Sequence, residues 1–175
     1  IITPSTIYSC SGGGYHLGSH VVHCHNCGGL NIYSAIQRSC NTFFCRAYYN
    51  ILSNRTKYKN IDEAYTAWLD YMMSMGFAQK YDTDLPYELK GSIPSAAYFD
   101  KRYNNSWNGN TVVSMGIGQG EAAVTPLQMA NMLAVIANQG YYIKPHVVRA
   151  IGHRDSLNTQ FSEKIYSKIK PQHFA

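Results

Sequence analysis

The sequence has few charged residues, and it lacks both a long apolar run and a basic stripe. Only 14% of its 175 residues are charged and 45% are hydrophobic, which is typical of a packed chain rather than a disordered one. No run approaches the roughly 20 apolar residues that span a bilayer, and no signal-peptide pattern begins at Ile1. The net charge of +5 is spread along the chain, so we expect no nucleic-acid binding.

Periodicity predicts a mainly helical chain with few strands, folded as one unit over residues 1–175. The first 29 residues are rich in glycine, histidine and cysteine and lack periodicity, so they are predicted to form a loop that needs an external constraint. We expect an irregular connection over residues 81–110 and a short strand over residues 141–148. Helices are predicted over residues 32–37, 42–52, 62–75 and 127–138.

The block from Gly116 to Asn131 predicts a tight turn followed by a helix. Thr125 fits the N-cap, Pro126 the first helical position and Gln128 the second half of a capping box. Residues 127–138 carry no charge and are mostly apolar, so this helix is predicted to be buried on nearly all sides. Gly140 is expected to end it in a left-handed cap.

Ser39-Cys40-Asn41 lies at the break between two predicted helices. A serine hydroxyl can relay protons there, and an asparagine amide can both donate to and accept from an amide substrate. The structural alternative is that Ser39 or Asn41 merely caps the helix that begins at Thr42.

Ser39-Cys40-Asn41 and the Gly116-Ile-Gly-Gln-Gly-Glu-Ala-Ala-Val-Thr-Pro-Leu-Gln128 block together resemble the transpeptidase domain of class B penicillin-binding proteins. The similarity is strongest to the elongation-type enzymes, penicillin-binding protein two, and the segment Asp84-Leu-Pro-Tyr-Glu88 strengthens it. The resemblance implies a mainly α fragment of an α+β parent, the middle segment of the penicillin-binding-protein and serine β-lactamase-like fold. It also implies that Ser39 relays protons and that Asn41 binds the substrate's amide.

Two motifs of that family are missing from this sequence. No Ser-x-x-Lys precedes Ser39, and there is no Lys-Thr-Gly. The one Ser-x-x-Lys, at residues 167–170, lies in the wrong order, and we interpret it as accidental. The chain therefore corresponds to the part of the domain between the first and third motifs, and alone it is expected to lack acyl-enzyme chemistry.

The resemblance implies that the full enzyme is a peptidoglycan D,D-transpeptidase that cross-links stem peptides through an acyl-serine intermediate. β-Lactams would acylate the same serine. The expected location is the periplasmic face of the bacterial inner membrane, with an anchor outside this chain and with membrane-embedded wall-synthesis partners. The alternatives are a β-lactamase or β-lactam sensor of the same fold, or a non-catalytic interaction module stabilised by zinc.

Four cysteines have a spacing that is typical of a structural zinc site. Cys24 and Cys27 form a C-x-x-C pair, and Cys10 and Cys40 lie 14 and 13 residues to either side of it. Zinc bound to these four sulfurs would constrain the glycine-rich start of the chain. Disulfide bonding remains the alternative, since wall-synthesis enzymes work in an oxidising compartment. Cys45, inside an apolar helix, is interpreted as a buried core thiol.

Overall fold

The computed structural model describes residues 2–17, 20–150, 152 and 161–174. The helices are α1 (Ile32–Gln37), α2 (Asn41–Leu52), α3 (Ile61–Ser74), α4 (Ala96–Tyr103) and α5 (Pro126–Ala137). The strands are β1 (Tyr8–Cys10), β2 (Tyr15–Leu17), β3 (His20–Val22), β4 (Gly28–Leu30), β5 (Tyr141–Ile143) and β6 (Lys164–Tyr166). Short 3-10 helices cover Val113–Ile117 and Pro171–His173.

The chain divides into two compact units. The first comprises Ile1–Thr66 and Ser95–Glu121, and the second comprises Ala67–Pro94 and Ala122–Ala175. Among the described residues, helices dominate and the strands form three separate two-stranded antiparallel sheets, which confirms the predicted mainly helical fold class. No helix in the described ranges combines the length and apolar character that crossing a bilayer requires.

The N-terminal region contains four short strands, so the prediction of a plain loop there was wrong. In the first unit, β1 pairs with β4 so that Cys10 lies opposite Gly28, and β2 pairs with β3. Gly14 adopts a φ of 116°, and a Cβ atom there would lie 2.2 Å from the carbonyl oxygen of Val22, so this position requires glycine. Strands of three residues are too short to show the alternation that identifies a strand in a sequence.

The predicted helices on both sides of residue 39 are confirmed within one residue. The side chains of Asn31 and Ser34 form a reciprocal capping box that starts α1. Helix α2 begins at Asn41, and its buried face packs against β1, β2 and the Val113–Ile117 helix of the same unit. The buried residues of α2 are Thr42, Phe43, Cys45, Tyr48 and Leu52.

Helix α4 interrupts the connection that was predicted to be irregular from residue 81 to residue 110. Its Phe99 is fully buried and contacts the rings of Tyr65 and Trp107, with ring centroids 5.4 and 5.2 Å away. The indole Nε1 of Trp107 donates to Asp100 Oδ1 at 2.7 Å. The helix has eight residues, and its N-cap residue Ser95 makes no side-chain capping hydrogen bond. A helix this short is marginal by itself, and aromatic packing stabilises it.

Helix α5 starts as predicted, but the prediction that it is buried on nearly all sides was wrong. Thr125 and Gln128 form the capping box, with Pro126 in the first turn. Met129, Leu133 and Ile136 are 46%, 61% and 49% exposed. An apolar composition predicts that other elements cover every face of a helix. In the structure, the rest of the second unit packs only against the face of α5 that carries Gln128, Asn131 and Val135.

The end of α5 and the strand after it follow the sequence pattern. Helix α5 ends at Ala137, and the following Gln139 and Gly140 both have left-handed backbone, with φ of 57° and 115°. The strand predicted over residues 141–148 is shorter, since only Tyr141–Ile143 pairs, and its partner is β6.

Gln128 joins three segments of the second unit through one buried side chain. It is 1% exposed, and its Nε2 donates to the carbonyl oxygens of Gln79 and Lys90 at 3.0 and 2.8 Å. Its Oε1 accepts from the backbone N–H of Thr125 at 3.1 Å. The capping residue of α5 therefore also satisfies two backbone carbonyls of the preceding connection.

We predict that Gln128→Leu lowers the free energy of unfolding by about 2–4 kcal/mol, because two carbonyls and one N–H lose their partner. Urea denaturation of the variant and the wild type measures the difference. Gln37→Leu, at the exposed end of α1, is the matched control and should change stability by less than about 0.5 kcal/mol. A Gln128→Leu variant as stable as this control would contradict the role.

Candidate functional site

Ser39 lies between α1 and α2 in a backbone conformation that serine rarely adopts. Its φ is 48°, in the left-handed region, and its side chain is exposed. The chain makes this turn because the N–H groups of Ser39 and Cys40 donate to the carbonyls of Ile36 and Ala35 at the end of α1. A non-glycine residue held in this region stores strain, which is frequent at functional sites.

Asn41 is the first residue of α2, and its amide is tied to the N-terminal region. Its Nδ2 donates to the carbonyl oxygen of His23 at 3.0 Å, which leaves Oδ1 and the second N–H available to a ligand. The N-cap residue is Cys40, and no side chain caps the helix. The structure thus excludes the alternative in which Ser39 or Asn41 is merely the cap.

Four cysteines from three segments bring their sulfurs together at the start of α2. The Sγ atoms of Cys10, Cys24, Cys27 and Cys40 all lie within 4.8 Å of one another, and those of Cys24 and Cys40 are 3.7 Å apart. Cys10 and Cys27 both donate to the carbonyl oxygen of His25, at 3.2 and 3.3 Å. Cys10, Cys27 and Cys40 are buried in one cluster with Leu30, Ala35 and Phe43.

The cluster has the dimensions of a tetrahedral metal site. Zinc binds thiolate sulfur at about 2.3 Å, which places the sulfurs of a regular tetrahedron about 3.8 Å apart. The separation between Cys24 and Cys40 matches this spacing. All five cysteines are free thiols in the structure, and Cys45, buried inside α2, does not belong to the cluster. The residue types and distances therefore fit a closed, four-sulfur metal site.

The surroundings affect the four thiols in opposite directions. Burial raises the pKa of Cys10, but the nearby Thr42 hydroxyl, the backbone of Gly12 and Cys27 and the side chain of Cys24 lower it to about 6. Burial raises the pKa of Cys27 and, more strongly, that of Cys40, against a hydrogen bond from the Phe43 backbone. Burial also raises the pKa of Cys45 to about 11, which is consistent with an inert core thiol.

The start of the Gly116–Gln128 block packs against α2 in the first unit. Gly116 lies in the Val113–Ile117 helix, and a Cβ atom there would lie 2.6 Å from the Cβ of Tyr48. Gly118 and Gly120 follow with φ of 72° and 84°. Glycine at 116 thus permits close approach to the helix that Ser39-Cys40-Asn41 begins. The sequence predicted the turn but not the 3-10 helix.

Two contacts of this site had no signal in the sequence. The carbonyl of His23 is a backbone group, and its pairing with Asn41 depends on the fold. Thr42 is an ordinary position of an amphipathic helix in the sequence, yet its hydroxyl is buried beside Cys10.

Comparison with known proteins identifies the family. The sequence model described as the penicillin binding protein transpeptidase domain matches residues 1–174. The chain belongs to the penicillin-binding protein transpeptidase family. This confirms the resemblance seen in the two motifs, and it places Ser39-Cys40-Asn41 and the Gly-Gln-Gly block within that domain.

Individual relatives agree with this assignment. The peptidoglycan D,D-transpeptidase MrdA of Acinetobacter baumannii is 34% identical over 121 residues, which are 69% of this chain and 16% of that protein. PBP2 of Pseudomonas aeruginosa is similar in structure, with a TM-score of 0.72 and 25% identity over 99% of this chain and 37% of that chain. A complex between PBP2 and MreC from Helicobacter pylori has a TM-score of 0.71 at 22% identity, covering 99% and 29%. The chain therefore spans about one sixth of the curated relative.

Proposed function

We propose that this chain is the middle segment of a peptidoglycan D,D-transpeptidase and contributes its Ser-x-Asn motif. The observation that carries the proposal is the Ser39-Cys40-Asn41 turn itself, which presents an exposed serine on strained backbone beside an oriented amide. The family match over residues 1–174 and the identity to a D,D-transpeptidase support it. The same relatives favour the transpeptidase over a β-lactamase or a β-lactam sensor.

Ser39 acts as the proton relay in this proposal. The nucleophilic serine of the complete domain attacks the carbonyl of D-Ala-D-Ala, and an acyl-serine ester forms as terminal D-Ala leaves. The general-base lysine of the complete domain takes the proton of the nucleophilic serine and returns it to Ser39, whose hydroxyl passes its own proton to the leaving nitrogen. When the ester is transferred, the proton of the incoming amine moves by the same path in the opposite direction. Because the Ser39 side chain is exposed, its hydroxyl can reach a bound substrate without a rearrangement of the helix.

Asn41 holds the substrate amide. Since one of its N–H groups is committed to His23, the side chain cannot rotate freely, and Oδ1 and the remaining N–H keep a defined direction. A preoriented amide of this kind binds a substrate with less loss of side-chain entropy. The nucleophilic serine and the third motif belong to parts of the protein outside this chain, so the chain alone is inactive toward β-lactams.

The cysteine cluster is proposed to hold a structural zinc ion through Cys10, Cys24, Cys27 and Cys40. The fitting separation of the sulfurs supports this assignment. Bound there, the ion would supply folding free energy and no catalytic chemistry, because four protein ligands leave no open position. The cysteines place β1, the 24–27 segment and the start of α2 around one point.

The proposed substrates are stem peptides of peptidoglycan, and β-lactams are the expected inhibitors. The proposed location is the periplasmic face of the inner membrane, with an anchor outside this chain. Membrane-associated wall-synthesis proteins are the expected partners, since a related PBP2 has been seen in complex with MreC.

In the full-length enzyme, we predict that Ser39→Ala slows acylation by penicillin about 100- to 10,000-fold, the effect of losing a positioned acid–base group. Stopped-flow measurement with a fluorescent penicillin gives the rate. Ser39→Gly should be as slow, because it also lacks the hydroxyl although it suits the left-handed backbone better. Ser9→Ala, at an exposed site on β1, should acylate at the wild-type rate, and the 175-residue chain should form no adduct. Wild-type rates in both Ser39 variants would refute the relay.

We predict about one equivalent of zinc per chain after purification without chelator. Cys24→Ser and Cys27→Ser should each lose the metal and increase hydrogen exchange around residues 10–30, whereas Cys45→Ser should retain it, because Cys45 lies outside the cluster. Elemental analysis and intact mass measure the outcome. A metal-free protein about two or four daltons lighter than the reduced mass would instead establish disulfides.

A further inference from the structure

The four thiols of the cysteine cluster differ in exposure and in hydrogen bonding. Cys10, Cys27 and Cys40 are buried, whereas Cys24 is half-buried. Cys10 and Cys27 both donate to the carbonyl oxygen of His25, at 3.2 and 3.3 Å. Cys24 instead directs its thiol at the sulfur of Cys40, 3.7 Å away. Cys24 is therefore the member of the cluster most accessible to a solute, and Cys40 is its direct neighbour.

A disulfide between Cys24 and Cys40 requires only a short movement. The S–S bond of a disulfide is about 2.0 Å long, so the two sulfurs would have to approach each other by about 1.7 Å. Their segments are already joined one residue away, because the side-chain amide of Asn41 donates to the carbonyl oxygen of His23 at 3.0 Å. Two consecutive residues of one segment thus contact two consecutive residues of the other.

We propose that Cys24 and Cys40 form a reversible redox switch, in which hydrogen peroxide oxidises the pair to a disulfide, releases the zinc ion and displaces the Ser39-Cys40-Asn41 turn. This proposal rests on the metal site and the motif role proposed above. The ion is released because the disulfide leaves only two of its four ligands. The turn moves because Cys40 is the residue between Ser39 and Asn41.

The oxidation takes place in two displacement steps. The Cys24 thiolate attacks one oxygen of hydrogen peroxide, the O–O bond breaks, and Cys24 becomes a sulfenic acid as hydroxide leaves. The Cys40 thiolate then attacks the Cys24 sulfur, so that the S–S bond forms, the S–O bond breaks and a second hydroxide leaves. Two electrons pass from the sulfurs to the peroxide, and the two hydroxides take up two protons from solvent. A dithiol reverses the reaction by thiol–disulfide exchange and is itself oxidised to a disulfide.

Treatment of the zinc-loaded, full-length enzyme with hydrogen peroxide tests the switch. About one equivalent of zinc should pass to a chromophoric chelator for each disulfide formed, and peptide mapping without reduction should identify that disulfide as Cys24–Cys40. In the same samples, acylation by a fluorescent penicillin should slow about 100-fold, the effect of displacing a reacting group by about 1 Å. Dithiothreitol with added zinc should restore the rate, which separates the switch from oxidation of methionine.

Cys45→Ser is the matched control, because this buried thiol of α2 lies outside the cluster. The variant should release zinc and recover it with the same dependence on peroxide as the wild type. Three results would overturn the switch and leave the metal site intact: a disulfide between another pair, zinc retained at peroxide concentrations that oxidise glutathione, or an oxidised enzyme that acylates at the reduced enzyme's rate. If the reduced enzyme holds no zinc, the metal site and the switch both fall.

Discussion

The first unit depends on the meeting of four sulfurs at the N-terminus of α2. Strand β1 supplies Cys10, the segment before β4 supplies Cys24 and Cys27, and the turn between α1 and α2 supplies Cys40. The strands that connect these positions have three residues each and form two-stranded sheets, which are marginal in water by themselves. An ion bound by all four sulfurs would supply the conformational restraint that such short ladders cannot provide, as metals do in other small, loop-rich structures.

The cysteine cluster also includes the middle residue of the Ser39-Cys40-Asn41 motif. Cys40 separates Ser39 from Asn41, so an ion bound at Cys40 restrains the backbone on both sides of it. Asn41 has a second tie, because its amide donates to the carbonyl of His23, the residue before Cys24. The left-handed turn at Ser39 is therefore held by α1 on one side and by the cysteine cluster on the other. Strained backbone of this kind persists only where the surrounding structure holds it.

The sequence predicted features that depend on local chemistry and missed those that depend on tertiary pairing. Capping residues located the start of α5 at Pro126, and the cysteine spacing predicted the four residues that the fold brings together. The β1–β4 ladder and helix α4 have no comparable local signal, since one depends on non-local hydrogen bonds and the other on the packing of Phe99. The exposed face of α5 was missed because apolar composition does not show which face has a partner.

X-ray absorption at the zinc edge tests most directly whether one ion joins β1, the 24–27 segment and α2. For protein purified without chelator, the spectrum should fit about four sulfur neighbours at about 2.3 Å, with no nitrogen or oxygen in the first shell. The same spectrum should persist in Cys45→Ser, because that thiol lies outside the cluster. A first shell of nitrogen and oxygen, or protein with no zinc at all, would contradict a four-cysteine metal centre at the Ser39-Cys40-Asn41 turn.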